Sequence, residues 1–209
     1  MRRARTEGER TRQRILRAAL RCFAERGYAA TAISDIARAA GVSKPALYYH
    51  FRDKADLFRA LVTEAYEARQ RRLEAALASS SDIGARLRAV MQAWFQSFHE
   101  NRRLLQLALS TMFAAPGDAP PGFDCRPLCR RNFDRMCEAI REAQARGELT
   151  SRLTARELTH AFFGLAHTFL ASSLVFEEDQ PGPDLADRLV GFFLQGAGPP
   201  AMTAACAAD

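Results

Sequence analysis

GYAATAISDIARAAGVSKPALYYHFRDKADLF, residues 27–58, holds two short helical patterns joined by a tight turn centred on Gly41. In the first pattern Ile33, Ile36, Ala37 and Ala40 fall at i, i+3, i+4 and i+7, an apolar stripe of helical period that must face a core. Thr31 stands just ahead of it in the position of an N-cap, and Asp35 lies in the first turn, where the helix dipole favours negative charge. Gly41 stops the helix, since glycine tolerates the left-handed conformation in which helices commonly end. Val42 is expected to point inward, Ser43 to cap the next helix, and Pro45 to fit its opening turn, where a missing N–H costs little. A second helix from about Lys44 to His50 follows.

Within that second helix Leu47 and Phe51, four apart, supply the buried face and leave Lys44, Ala46, Tyr48, Tyr49 and His50 pointing elsewhere. A rod of about seven residues is only about 10 Å long and probes a few base edges in one major groove. Two adjacent exposed tyrosines need a reason. Their rings can stack or touch methyl groups and their hydroxyls can hydrogen-bond to nucleic acid; the alternative is that Tyr48 packs on the neighbouring helix. The whole pattern reads as a helix-turn-helix that binds DNA.

Together with the helix before it, this run resembles the TetR/AcrR family of transcriptional regulators. The resemblance is carried by Gly27-Tyr28, Ile36-Ala37, Ala40-Gly41-Val42-Ser43, Leu47-Tyr48-Tyr49-His50-Phe51, Lys54 and Leu57, and is dense over residues 10–60. It implies that Lys44, Pro45, Ala46 and Tyr49 face base edges, while Tyr48, His50, Lys54, Ser43 and Thr31 lie near phosphates. Ala32 departs from a family position often held by a hydroxyl residue.

Charge is distributed to match. Residues 1–60 hold 14 Lys and Arg against 6 Asp and Glu, a net of +8, whereas the other 149 residues hold 16 against 18, a net of −2. A basic first quarter on a near-neutral remainder is the footprint of a domain that displaces counterions from DNA. A membrane surface would attract it too, but the arginines are spread around a helix and not gathered opposite bulky apolar residues. In that first helix Ile15, Ala18, Ala19, Cys22 and Phe23 form the buried stripe, and Arg12, Arg14, Arg17 and Arg21 take other faces. The run Met1–Arg5 is expected to be a mobile basic arm, either solvated or reaching into a minor groove. Both lysines of the chain, Lys44 and Lys54, fall in the DNA-reading segment.

The remainder reads as helix after helix, giving an all-α fold of about nine helices. The expected organisation is a helix-turn-helix domain over 1–53, a helical regulatory and dimerisation domain over 54–197, and a disordered tail over 198–209. Helical patterns run from Lys54 to about Ala78, Ile83 to His99, Leu104 to Ala114, Asp124 to Arg146 and Asp184 to Gln195, with AAPGDAPPG over 114–122 as a loop. Thr154-Ala-Arg-Glu157 is a capping box that opens a further helix. The uncharged run between Glu157 and Glu177 is long enough to span a bilayer. Its His160, His167, serines and threonines favour a buried interface helix instead. Arg17 and Arg21 interrupt the first apolar stretch, so no secretory signal, and a cytoplasmic location, are expected.

The family resemblance implies that the last two helices pair with those of a second copy. Leu158, Phe162, Leu165, Phe169, Leu189, Phe192 and Phe193 are therefore candidates for a homodimer interface, with intrachain core as the alternative. A dimer suits the chemistry, because two short helices read a palindromic operator with half-sites about 34 Å apart or more. Trp94, Phe95, Phe98, Met112, Phe113, Phe133, Phe163 and Phe176, bulky and on separate helices, suit a mostly apolar pocket with His99, Gln106 and His167 as polar anchors. A small apolar inducer that prefers wrongly spaced heads would release the dimer from DNA, with the helix from Lys54 as lever. A constitutive or architectural DNA binder without inducer is the alternative. Cys125 and Cys129, four apart, could share a helix face as a soft-metal or redox sensor, although a site of that kind would need further ligands and no His lies nearby in the sequence. Four scattered histidines offer no nucleophile with its base, so neither an enzyme, a cofactor nor a metal site is expected.

Overall fold

A computed structural model describes residues 2–112, 118–176, 181–182 and 184–198, and their regular structure is entirely helical. The elements are α1 (Arg2–Arg26), α2 (Ile33–Ala40), α3 (Lys44–His50), α4 (Lys54–Leu77), α5 (Ile83–Glu100), α6 (Arg102–Met112), α7 (Arg126–Ala145), α8 (Ala155–Val175) and α9 (Leu185–Ala197). Helix ends fall within about two residues of the sequence expectation almost throughout, the ordinary spread of helix boundaries. In the basic run, the backbone of residues 2–5 is helical and continuous with the rest of α1. The expected disordered tail lies, from residue 199 on, outside the described residues.

The chain forms two compact units, residues 1–70 with 97–129 and residues 71–96 with 130–209. The first therefore takes in the start of α4, the end of α5 and all of α6 beyond residue 53. Its core joins Ile15, Leu16, Ala19 and Phe23 of α1 to Ile36 and Ala37 of α2, Leu47 of α3, and Leu57, Phe58 and Leu61 of α4. Phe58 meets Phe23, Tyr28 and Phe123 edge-on, at centroid distances of 5.2, 5.1 and 5.4 Å. Such aromatic contacts contribute about 0.5–1.5 kcal/mol each beyond area burial.

In the second unit Leu87, Met91 and Trp94 of α5, Met136 and Ile140 of α7, Phe162 and Ala166 of α8, and Val190 and Phe193 of α9 are buried. The capping box is formed: Thr154 Oγ1 accepts the Glu157 N–H, and the Glu157 carboxylate accepts the Thr154 N–H at 2.7 Å. The Thr154 hydroxyl, which donates to the same carboxylate at 2.7 Å, and the Thr154 N–H together hold the Glu157 carboxyl below its ordinary range. Glu148 pairs with Arg146 and accepts the Ile83 N–H at 3.0 Å, serving an orphan donor at the start of α5. Length and composition would let α8 cross a membrane. Here its Leu158, Phe162, Ala166 and Leu170 are buried in protein.

Candidate nucleic-acid interface

The turn between α2 and α3 is built from backbone bonds that the left-handed conformation of Gly41 permits. Gly41 sits at φ 63°, donating to the Arg38 carbonyl at 3.1 Å, and Val42 N–H reaches back to Ala37 at 3.0 Å. Both bonds satisfy carbonyls at the end of α2. Ser43 Oγ then accepts the Ala46 N–H at 3.2 Å, Pro45 occupies the first turn, and Phe51 N–H closes α3 onto Leu47 at 3.0 Å. Leu47 and Phe51 are buried, as their spacing requires.

Anchoring that face fixes what the other presents. Ser43, Lys44, Pro45, Tyr48 and Tyr49 are exposed, while Ala46 and His50 are half-buried. Tyr49 is 86% exposed and Tyr48 50% exposed on a helix one residue apart, so neither is part of the core. The Tyr49 ring stands 5.1 Å from that of His50. Arg38 and Arg52 are exposed nearby in the sequence, each sharing a carboxylate, Asp35 at 3.6 Å and Asp56 at 3.3 Å. The Asp56 carboxyl is held below its ordinary range by the Arg52 N–H and guanidinium.

Two expected phosphate neighbours lie elsewhere. Thr31 is neither the N-cap of α2 nor at the surface: Ala32 holds the N-cap position without a side-chain bond, and Thr31 is 1% exposed. Its hydroxyl is turned inward onto the carbonyls of Gly27 at 2.7 Å and Cys22 at 3.1 Å. Lys54 is likewise an internal brace. Its ammonium donates to the carbonyls of Tyr28, Ala29 and Thr31 at 2.9, 3.3 and 3.0 Å, and three such bonds exhaust its donors.

Sequence reasoning also overlooked the braces on α1. Arg14 donates to the carbonyls of Ala40 at 2.7 Å and Gly41 at 3.0 Å, and Arg21 to that of Ala39 at 3.3 Å. These guanidiniums serve the orphan carbonyls and the negative dipole end of α2. Arg12 pairs with Glu64 of α4 and lies 5.4 Å from the Phe51 ring, joining three elements. The signal was present as arginines at i and i+7 on α1, both flanking the buried stripe.

The regulatory candidates divide between the units. In the second, Trp94 lies 5.8, 4.9 and 6.2 Å from the rings of Phe162, Phe163 and His167, and Phe133 lies 4.6 Å from His160 and 5.7 Å from Phe163. Phe95 is buried in the same unit, and Phe176 is 51% exposed. Phe98, His99 and Gln106 belong to the first unit, where Phe98 is buried and His99 and Gln106 are exposed. The Met112 side chain and Phe113 lie outside the described residues. An apolar groove of about 410 Å³ runs between α8 and α9, lined by Leu158, Leu165, Phe169, Phe192 and Phe193 beside Gly164 and Gly196. Phe162 and Leu189 are not part of that lining: Phe162 is intrachain core, 5.5 Å from Phe193, and Leu189 is buried.

Residues 15–61 match the family described as bacterial regulatory proteins, tetR family. The HTH-type transcriptional regulator AcrR of Shigella flexneri is 29% identical over 202 residues, covering 92% of this chain and 94% of its own. The HTH-type transcriptional regulator TtgR of Pseudomonas putida is 45% identical over 67 residues, 32% of either chain. Among solved structures, SmeT, the repressor of the Stenotrophomonas maltophilia efflux pump SmeDEF, superimposes with a TM-score of 0.72 at 24% identity over 91% of each chain. FadR of Bacillus subtilis with stearoyl-CoA gives 0.71 at 20% identity over 88% of this chain and 98% of that one. Residues 15–61, in the first unit, thus belong to the tetR family of bacterial regulatory proteins, and the chain as a whole is similar to TetR/AcrR transcriptional regulators in sequence and fold.

Proposed function

We propose that this regulator acts in the cytoplasm as a homodimeric repressor, reading a palindromic operator with two copies of α3 and leaving it when a small, largely apolar ligand binds. The observation that carries the reading is the outward face of α3, where Lys44, Pro45, Tyr48 and Tyr49 stand in solvent above a fully buried Leu47. Lys44, Pro45, Ala46 and Tyr49 address base edges, and Ser43, Tyr48 and His50 the backbone. The short rod needs a second copy for useful specificity, and the apolar groove between α8 and α9, with Phe192 67% exposed, is where that copy docks.

Ligand release is supported by the company the fold keeps. SmeT is known as a triclosan complex and FadR as a stearoyl-CoA complex. Here the aromatic cluster of Trp94, Phe133, Phe163 and His167 offers an apolar setting with imidazole edges for such a molecule. The ligand need favour the released state by only a few kcal/mol. Selection of bound fragments from a genomic library, followed by titration of the complex with lipophilic compounds, tests both parts. Enrichment of one inverted repeat and its release by one compound class is expected. Uniform binding of all fragments would mark an architectural protein instead.

A further inference from the structure

Tyr66 of α4 and Cys129 of α7 meet inside the first unit, hydroxyl to thiol at 3.1 Å. Cys125 stands one helical turn earlier, its carbonyl accepting the Cys129 N–H at 3.0 Å. Its thiol is buried and donates to the Thr111 carbonyl at 3.9 Å. Cys129 is half-buried, so the pair consists of one thiol toward solvent and one behind it. Arg69, three residues after Tyr66 on α4, falls on the same helix face.

We propose that Cys125 and Cys129 form a binding site for a soft, two-coordinate monovalent cation of the Cu(I) type. Both thiols give up their protons to solvent and both sulfurs bind the ion, converting two neutral thiols and one cation into a bis-thiolate complex of charge −1. Arg69 offsets that charge, and the Tyr66 hydroxyl donates to the Cys129 sulfur as an outer-shell partner. Thiolates select soft ions of this class. Zinc would require four ligands, and among the described residues no group of three His, Cys, Asp or Glu is assembled. A disulfide fits less well: Cys125 immediately precedes α7, and the Cys129 N–H to Cys125 carbonyl bond keeps the two a helical turn apart, where Cβ atoms are about 5–6 Å from one another, whereas a disulfide draws them to about 3.8 Å. An intervening ion spans the longer distance without unwinding α7. The site is distinct from the DNA-reading face and from the aromatic cluster, so it stands or falls separately from the repressor reading.

The test is anaerobic titration of the reduced full-length protein with Cu(I) against a chromogenic Cu(I) chelator, without DNA. One ion per chain is expected, held about 100-fold more tightly than by Cys125→Ser or Cys129→Ser, with Tyr66→Phe weakening it about 10-fold. Cys22→Ala and Cys137→Ala should leave the affinity unchanged. If the serine variants fold poorly, thiol alkylation of the wild-type chain decides: one equivalent of Cu(I) should protect the Cys125 and Cys129 peptides from iodoacetamide. Retention of the ion by the Cys125→Ser, Cys129→Ser double variant, complete surrender of it by wild type, or unprotected thiols would each overturn the assignment.

Discussion

The ammonium of Lys54 stands 4.3 Å from the centre of the Tyr28 ring and 2.9 Å from the carbonyl oxygen of the same residue. One cation thereby ties the first residue of α4 to the connection between α1 and α2, and so fixes the base on which the helix-turn-helix stands. Replacing it by Met keeps the aliphatic stem but takes the donor from the carbonyls of Ala29 and Thr31, while that of Tyr28 keeps only the Thr31 N–H at 3.3 Å. A loss of about 2 kcal/mol is expected, read as a lower denaturant midpoint at unchanged slope. The salt dependence of DNA binding should stay the same, because a phosphate contact would have contributed about one unit of slope.

Gly41 faces a double constraint. Its φ of 63° costs an L-residue about 1–2 kcal/mol, and an added Cβ would sit 3.1 Å from the Arg14 guanidinium that braces the end of α2. Gly41→Ala should therefore lower the melting temperature by about 2–8 °C. Arg14→Gln, which removes the charged brace while keeping the glycine, should weaken operator binding without altering which sequence is preferred. A change of preferred sequence would mean that Arg14 reads bases itself.

Phe192 offers a clean test of the groove between α8 and α9. It is 67% exposed in the single chain, so Phe192→Glu removes little from the intrachain core. Sedimentation should show a monomer whose helicity, by circular dichroism, matches that of wild type, and operator binding at working concentrations should disappear. A stable dimer of this variant would place the interface elsewhere.

Acid sensitivity follows from carboxylates used as helix caps. Glu148 and Glu157 are held below their ordinary range, by Arg146 and the Ile83 N–H in one case and by Thr154 in the other. A carboxylate depressed in the folded state adds stability that is complete above its unfolded value of about 4.3 and is lost as pH falls through the folded value. Thermal melts from pH 6 to pH 3 should show stability declining over the lower end of that window. Glu148→Gln should flatten the decline, and an unchanged profile would deny Glu148 that role.

The all-α fold was legible because its signals are local. Apolar residues at i, i+3 and i+4 placed α2, and Gly41, Ser43 and Pro45 bounded α3 to the residue, since caps and turns depend on near neighbours alone. Thr154 and Glu157 announced α8 for the same reason. The roles of Thr31 and Lys54 were not legible. Each is polar and flanks a helix, which suits a cap or a phosphate contact, yet tertiary packing brings carbonyls from over twenty residues away to Lys54 and closes Thr31 under the α1 end. Arg14 was missed through the same gap, its partners lying 26 and 27 residues on. Bulky residues could be identified as apolar but not sorted: Phe162 and Phe192, both at helical spacing in the last two helices, differ from fully buried to largely exposed.

Fluorescence anisotropy on an operator recovered by genomic selection, comparing wild type with the Lys44→Ala, Tyr49→Ala double variant, addresses the reading of DNA by α3 most directly. Both side chains are exposed, so the variant should fold and dimerise as before. Its operator affinity should fall by about 2 kcal/mol or more, roughly 30-fold, toward the level of nonspecific DNA. Equal affinity of the two proteins for the operator would contradict the reading outright.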